Sequence, residues 1–284
     1  MATSTTQVYS ARFLSTITTP GGRSDEANRN EAKETGKQKP AIKIVEVGPR
    51  DGLQNEPLPL VSVEDKLDFI RRLERAGCSN IEVGAFVSPK WIPQMSGSAE
   101  VLSSLLEREV TDQPPHNTSA NGVKHSEPCY SILVPNAKGL EQALSVENDS
   151  IKKGGRTIDE IAVFGSASEE FTKRNINSTI DESMDRFRDI VREVQNSRAN
   201  GNDRPLLVRG YVSTVIACPY QGVIEPKEVA QVVEKMLELG CYEVSLGDTI
   251  GVGTPKSTKR MLDEVLVRNM RRSKGRSIQD SNRV

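Results

Sequence analysis

Arginine beside aspartate, framed by glycines, is the first chemically loaded spacing in the chain: Gly48-Pro-Arg-Asp-Gly-Leu-Gln54. Glycines at 48 and 52 allow the backbone to turn tightly. Arg50 offers a planar, permanently charged fork suited to a carbonyl, enolate or carboxylate. Asp51 is a hard oxygen donor suited to a divalent cation. Adjacent side chains do not readily pair, so the two are expected to face a ligand rather than each other. A second loaded stretch is Ser245-Leu-Gly-Asp-Thr-Ile-Gly-Val-Gly-Thr-Pro255. Asp248 is placed there to hydrogen-bond or to act as a base, with helix capping as the plainer alternative. Gly251-Val-Gly253 precedes Thr254-Pro255, so the third glycine of a dinucleotide fingerprint is missing. Glu82 stands between Ile81 and Val83. An acid in so apolar a run needs a buried partner, and Arg50 is the obvious one.

These residues must be held by regular elements, and the intervening sequence supplies a rhythm for them. Apolar, β-branched runs over 42–48, 80–86, 130–135, 160–164, 206–212 and 242–246 predict strands. Amphipathic stretches over 63–76, 99–107, 137–145, 180–197, 227–239 and 255–268 predict helices. Ser62 with Asp65, and Pro226 after Glu225, read as helix starts; Gly77 and Gly240 read as helix ends. Near-continuous apolar strands alternating with helices predict a parallel α/β sheet. Arg50, Asp51, Glu82, Asn136, Ser166 and Asp248 fall at or near the C-terminal ends of different strands. That distribution favours a (β/α) TIM-type barrel over an open sheet with one switch point. Six of the eight units are counted, so the barrel is expected to be incomplete, with its first and sixth strands as open edges.

The chain has 284 residues, 38 Lys+Arg against 39 Asp+Glu, and 36% apolar residues. So close a charge balance gives no reason to expect nucleic-acid or membrane-surface binding. Its longest apolar runs, of about seven residues, fall far short of the roughly 20 that span a bilayer. Cys78, Cys129, Cys218 and Cys241 form no CxxC pair and read as small apolar residues of a reducing compartment. Residues 1–40 read as a transit peptide or a disordered start, since the first 24 contain two arginines and no acid. Residues 107–128 read as an exposed loop carrying both histidines, His116 and His125, as solvated side chains. Residues 271–284 read as a basic tail outside the folded domain of 41–270.

The stretches 48–56 and 245–255 resemble hydroxymethylglutaryl-CoA lyases. So do Phe86-Val-Ser-Pro-Lys-Trp-Ile-Pro-Gln-Met95, 163–168 with 171–177, and Val208-Arg-Gly-Tyr-Val-Ser213. The arginine-aspartate start is shared with isopropylmalate and homocitrate synthases and with pyruvate carboxyltransferase domains; the 86–95 and 164–177 stretches are more specific to the lyases. The resemblance covers 41 to about 268. It implies cleavage of 3-hydroxy-3-methylglutaryl-CoA to acetyl-CoA and acetoacetate, in leucine degradation and ketone body formation. It also implies an acyl-CoA substrate and a Mg²⁺ or Mn²⁺ ion; the composition of the N-terminal segment points to the mitochondrial matrix, with the cytoplasm as alternative. A homodimer is admitted, although the chain itself gives no oligomeric state. By the same resemblance Arg50 stabilises the enolate oxygen, Asp51 ligates the metal, Glu82 positions Arg50, Asp248 assists proton movement and Gln54 lines the site.

The family's His-x-His metal pair and its Gly-Gly-Cys-Pro-Tyr catalytic loop have no counterpart in this sequence. Cys218-Pro219-Tyr220 follows the strand at 206–212, where the family has a separate Cys-Pro-Tyr, so Cys218 is given no catalytic role. Two readings follow, beside a third that keeps the enzyme but changes the substrate to another acyl-CoA or 2-keto acid of the superfamily, against which the 86–95 and 164–177 stretches argue. One is a lyase whose chain here lacks its C-terminal third. The other is a non-catalytic product that at most binds acyl-CoA or a partner.

Overall fold

The computed structural model describes residues 7–11, 43–107, 128–198 and 205–281. The strands are β1 (Gln7–Ala11), β2 (Asn80–Ala85), β3 (Cys129–Leu133), β4 (Glu160–Ser166), β5 (Leu207–Ser213), β6 (Ala217–Cys218), β7 (Gly222–Val223) and β8 (Glu243–Asp248). The helices are α1 (Val63–Arg75), α2 (Ser98–Leu106), α3 (Ala137–Lys152), α4 (Glu169–Ile176), α5 (Ile180–Arg198), α6 (Pro226–Leu239) and α7 (Pro255–Ser281). The main sheet runs β1-β8-β5-β4-β3-β2. Its five strands from β8 to β2 are parallel, and β1 joins β8 antiparallel. The five-strand parallel sheet with its helices is the wall of a TIM-type barrel, not closed into a ring among the described residues.

Local chemistry explains the element ends. Ser62 Oγ accepts from Asp65 N at 3.1 Å and starts α1. Pro226 opens α6, where Glu225 N donates to Glu228 Oε2 at 3.1 Å. Gly240, at φ +112°, ends α6 in a conformation that side-chain-bearing residues avoid. The outward faces of the strands and the inward faces of the helices form one core, including Ile81, Ile132, Ile161, Val212, Val244, Phe187 and Met236. Met236 lies so close to the sheet that a Cβ on Gly210 would meet its sulfur at 2.5 Å. Glycine in β5 is therefore what lets α6 seat.

Several expectations need correction. Residues 43–48 form no strand: only Glu46 bridges to Ile81, because the chain turns at Val47 before a ladder can extend. The sixth strand, β8, is not an open edge, since β1 pairs with it from Gln7↔Asp248 to Ala11↔Val244. A row of unpaired backbone groups on β8 accepts any extended segment able to reach it. Residues 7–11 are thus a strand within the stretch expected to hold no folded element. The rest of 1–40, and the histidine-bearing loop at 108–127, lie outside the described residues. The helix expected to stop at 268 continues to Ser281, because nothing between them breaks it: the one glycine, Gly275, only weakens a helix. The α4 helix and the β6–β7 hairpin were not anticipated; both are too short for a periodic signal.

A buried charge network lies at the N-terminal end of the parallel strands. Arg209 Nε and Nη2 reach the two oxygens of Glu160 at 2.7 and 2.9 Å. Its Nη1 reaches Glu243 Oε1 at 3.0 Å. The Tyr242 hydroxyl bonds to Glu160 and accepts from Lys43 Nζ at 2.8 Å. Among the described residues the two carboxylates share Arg209 and the more exposed Lys43, which is how Glu160 and Glu243 stay charged at 1–2% side-chain exposure. Burial, then the Glu160 charge, pushes the Tyr242 hydroxyl up, so it remains a donor.

Cys241, in the apolar core, is 4% exposed, and burial pushes its thiol up to about 12. In the unfolded chain a thiol titrates near 8.5. The folded value is raised, so this stabilisation is complete below about pH 8.5 and is lost as pH rises toward 12. Unfolding free energies from urea melts between pH 8 and 10.5 should fall more steeply for the parent than for Cys241→Ala, by up to about 1.4 kcal/mol per pH unit. Parallel slopes would show that Cys241 does not couple folding to pH.

Candidate functional site

The site is built where the chain leaves its 43–47 segment. Val47 O accepts from the backbone N–H groups of Arg50, Asp51 and Gly52 at 3.1, 2.7 and 3.3 Å. This single wide turn, Gly48–Gly52, places consecutive side chains on the inner side of the sheet. Arg50 Nε donates to Glu82 Oε1, and Arg50 Nη1 meets Asp51 Oδ1 at 2.7 Å. Gln54 Nε2 donates to the same Asp51 oxygen at 3.1 Å. The expected separation of Arg50 from Asp51 is therefore corrected. The turn brings neighbouring side chains to one side, where an extended backbone would oppose them.

Glu82 is fully buried in the middle of β2, on the face opposite Ile81 and Val83. That confirms both the strand and the partner expected from sequence. Its second oxygen accepts from the Tyr211 hydroxyl at 2.7 Å. The Tyr211 ring also lies under the Arg50 guanidinium, 5.4 Å from centroid to Cζ. Burial would lower the Arg50 pKa; the charge of Glu82, then Tyr211 and Asp51, outweighs it and leaves Arg50 above the usual arginine value. Burial, then Glu82, holds the Tyr211 hydroxyl well above the ordinary tyrosine range. Both groups therefore keep their protons throughout the working pH range. Among the described residues, Arg50 Nη2 has no hydrogen-bond partner, which leaves one edge of the fork for a ligand.

Asp248 closes β8 and is 7% exposed. Its carboxylate accepts from Gly253 N at 2.6 Å and Val252 N at 3.3 Å. It organises its own loop and makes no hydrogen bond to the Arg50 cluster among the described residues. A Cβ on Gly253 would stand 2.7 Å from Asp248 Oδ2, so that glycine is there for close approach. We expect Gly253→Ala to displace the carboxylate and to cost about 1–3 kcal/mol, read as a lower urea midpoint. An unchanged midpoint would mean that the loop relaxes freely around Asp248.

Other rim groups serve local structure. Asn136 caps α3 by accepting from Gly139 N at 3.0 Å. Ser166 Oγ meets Thr214 Oγ1 at 2.7 Å. Cys218 sits in the β6–β7 hairpin, 3.0 Å from Ser168 Oγ, in keeping with a structural role. Sequence reasoning missed Tyr211 and Gln94. Tyr211 had a signal, because Arg209, Tyr211 and Ser213 alternate with Val208, Gly210 and Val212. Gln94 had none. Its amide ties the rim segment after Gln54 by accepting from Val61 N and donating to the Glu56, Pro57 and Pro59 carbonyls at 3.0–3.3 Å.

Among the described residues no group of three or more His, Cys, Asp or Glu is arranged to hold a metal ion. Asp51 is a suitable oxygen donor at the rim. One such donor does not make a Mg²⁺ centre, which takes about six ligands. The described residues therefore do not by themselves fit a metal site.

The HMGL-like family profile matches residues 41–275. The chain is 44% identical to "3-hydroxy-3-methylglutaryl-CoA lyase, cytoplasmic" of Rattus norvegicus, over 79% of this chain and 55% of that protein. It is 46% identical to "Hydroxymethylglutaryl-CoA lyase, mitochondrial" of Bos taurus, over 79% of this chain and 58% of that one. The crystal structure of hydroxymethylglutaryl-CoA lyase from Pseudomonas aeruginosa is similar with a TM-score of 0.64 and 42% identity, covering 80% of this chain and 64% of that chain. The chain thus spans less than two thirds of the length of these relatives.

Proposed function

Because this chain belongs to the HMGL-like family, we propose that it carries hydroxymethylglutaryl-CoA lyase chemistry, cleaving 3-hydroxy-3-methylglutaryl-CoA to acetyl-CoA and acetoacetate. The observation that carries this reading is the buried Arg50–Glu82 pair with one edge of the arginine fork unengaged. In the reaction the 3-hydroxyl loses its proton, the C2–C3 bond breaks to release acetoacetate, charge collects on the thioester oxygen, and a proton delivered to C2 then gives acetyl-CoA. Arg50 Nη2 is the donor for that oxygen. A preorganised, buried cation stabilises such charge far better than solvent does. Glu82 holds the guanidinium. Asp51 and Gln54 form the rim of the same cluster. Asp248, braced by its loop, is the acceptor for the hydroxyl proton in this reading.

The family is metal-dependent in general. Mg²⁺ or Mn²⁺, with Asp51 as its donor, belongs to this reading, and the steps above are those of the chain's own residues. The division into a leader at 1–40, a lyase region at 41–270 and a basic tail goes with it, as do leucine and ketone body metabolism. A matrix location is proposed, with the cytoplasm as the alternative, since relatives of both descriptions match. A homodimer is left to the same experiments.

The test is acetoacetate release from 3-hydroxy-3-methylglutaryl-CoA by the purified chain, with and without Mg²⁺ or Mn²⁺, alongside binding of the ester by calorimetry. Turnover supports the proposal. Binding without turnover in either metal replaces it with the second reading, an acyl-CoA binder, which the single metal donor among the described residues favours. Neither binding nor turnover sinks both.

A further inference from the structure

We propose that Tyr211 is a positioning residue of this site: its hydroxyl fixes the Glu82 carboxylate and thereby aims the unengaged edge of Arg50. The role for Arg50 rests on the lyase reading above; the positioning geometry does not.

Glu82 has two oxygens and two strong donors. One oxygen takes Arg50 Nε and the other takes the Tyr211 hydroxyl at 2.7 Å. With either donor absent the carboxylate can rotate about its last bond, and the guanidinium turns with it. With both present, rotation costs a buried hydrogen bond in a place no water replaces. Tyr211 also bounds Arg50 from below, with its ring 5.4 Å from the guanidinium carbon. The fork is thus held at Nε by Glu82, at Nη1 by Asp51 and across its face by the ring. Nη2 is what remains.

Tyr211 is itself well anchored. Its strand pairs with β4 without a break from Leu207 to Ser213 and with β8 through Tyr211↔Ser245. Two residues earlier on the same face, Arg209 is locked between Glu160 and Glu243. A tyrosine on so rigid a strand transmits that rigidity to Glu82, which lies on β2 at a register break between Glu82 and Ala85. The irregular strand borrows its order from the regular one. Tyr211 is 6% exposed and its hydroxyl is engaged by Glu82, so its effect should fall on orientation rather than on ligand capture.

The experiment compares the parent chain, Tyr211→Phe, Glu82→Gln and the double variant. The double variant lacks the carboxylate charge that phenylalanine would strand, and it serves if Tyr211→Phe alone folds poorly. The first readout needs no substrate: the ¹Hε–¹⁵Nε signal of Arg50, assigned by its loss in Arg50→Lys. Tyr211→Phe should shift or broaden this signal while backbone amides of the helices stay in place. A superimposable signal overturns the proposal. The second readout is turnover. Tyr211→Phe should lower kcat by about tenfold or more, with KM within about twofold, as misaimed groups do. In the Glu82→Gln background the same change should have less than about a twofold effect, because the route through Glu82 is already cut. An equal loss in both backgrounds overturns the proposal. If the parent shows no turnover, the lyase reading fails and the Arg50 signal still decides the role of Tyr211.

Discussion

Arg50→Met should lower turnover on 3-hydroxy-3-methylglutaryl-CoA by about 10²–10³-fold, the usual cost of removing a donor to a developing oxyanion. It should also destabilise the fold by about 3–5 kcal/mol, because it leaves the fully buried Glu82 carboxylate without its cation. From sequence alone this substitution is expected to spare folding. The structure corrects that expectation, since Arg50 is 6% exposed and shares its charge with a residue that water does not reach. The two effects separate in the double variant Arg50→Met with Glu82→Gln, which should regain most of the stability and none of the turnover. Urea melts and an acetoacetate assay on the three proteins decide the matter. Near-parent turnover in Arg50→Met would remove the enolate role. Parent-like stability there would show that Tyr211 alone suffices for Glu82.

Arg209→Met is expected to have the largest effect on stability. It would take from Glu160 and Glu243, each about 1% exposed, the one guanidinium that bridges both of them. Breaking a buried pair costs about 3–5 kcal/mol, and one cation here serves two carboxylates. Domain stabilities are about 5–15 kcal/mol, so the variant should lose a large share of its stability and melt well below the parent. Adding Glu160→Gln and Glu243→Gln removes the stranded charge and should recover most of the loss, measured as thermal midpoint and soluble yield. If Arg209→Met alone melts with the parent, the network is not a stability determinant and the base of the sheet is held by apolar packing.

Much of this was legible in the chain. Periodicity placed five parallel strands and six helices, because an apolar run buried on both faces and an amphipathic repeat each leave a direct imprint on sequence. Glu82 could be paired with Arg50 before any coordinates, since an acid among Ile81 and Val83 has to find a cation. The limits were equally physical. The turn at Val47 ended the first strand early, and only backbone geometry shows that three N–H groups converge on one carbonyl there. The union of β1 with β8 joins residues about 240 apart, and nothing in Gln7–Ala11 names that partner.

The sequence by itself determined the class of fold and the family, both of which depend on residue types at short spacing. The tertiary structure alone decided which groups share a charge. It put Arg50 against Asp51, gave Tyr211 to Glu82, turned Asp248 toward its own loop and gathered Lys43, Glu160, Arg209, Tyr242 and Glu243 into one buried network. A buried charge must be satisfied by whatever the fold brings within about 3 Å. Proximity across strands is set by sheet order and register, which a one-dimensional pattern does not encode.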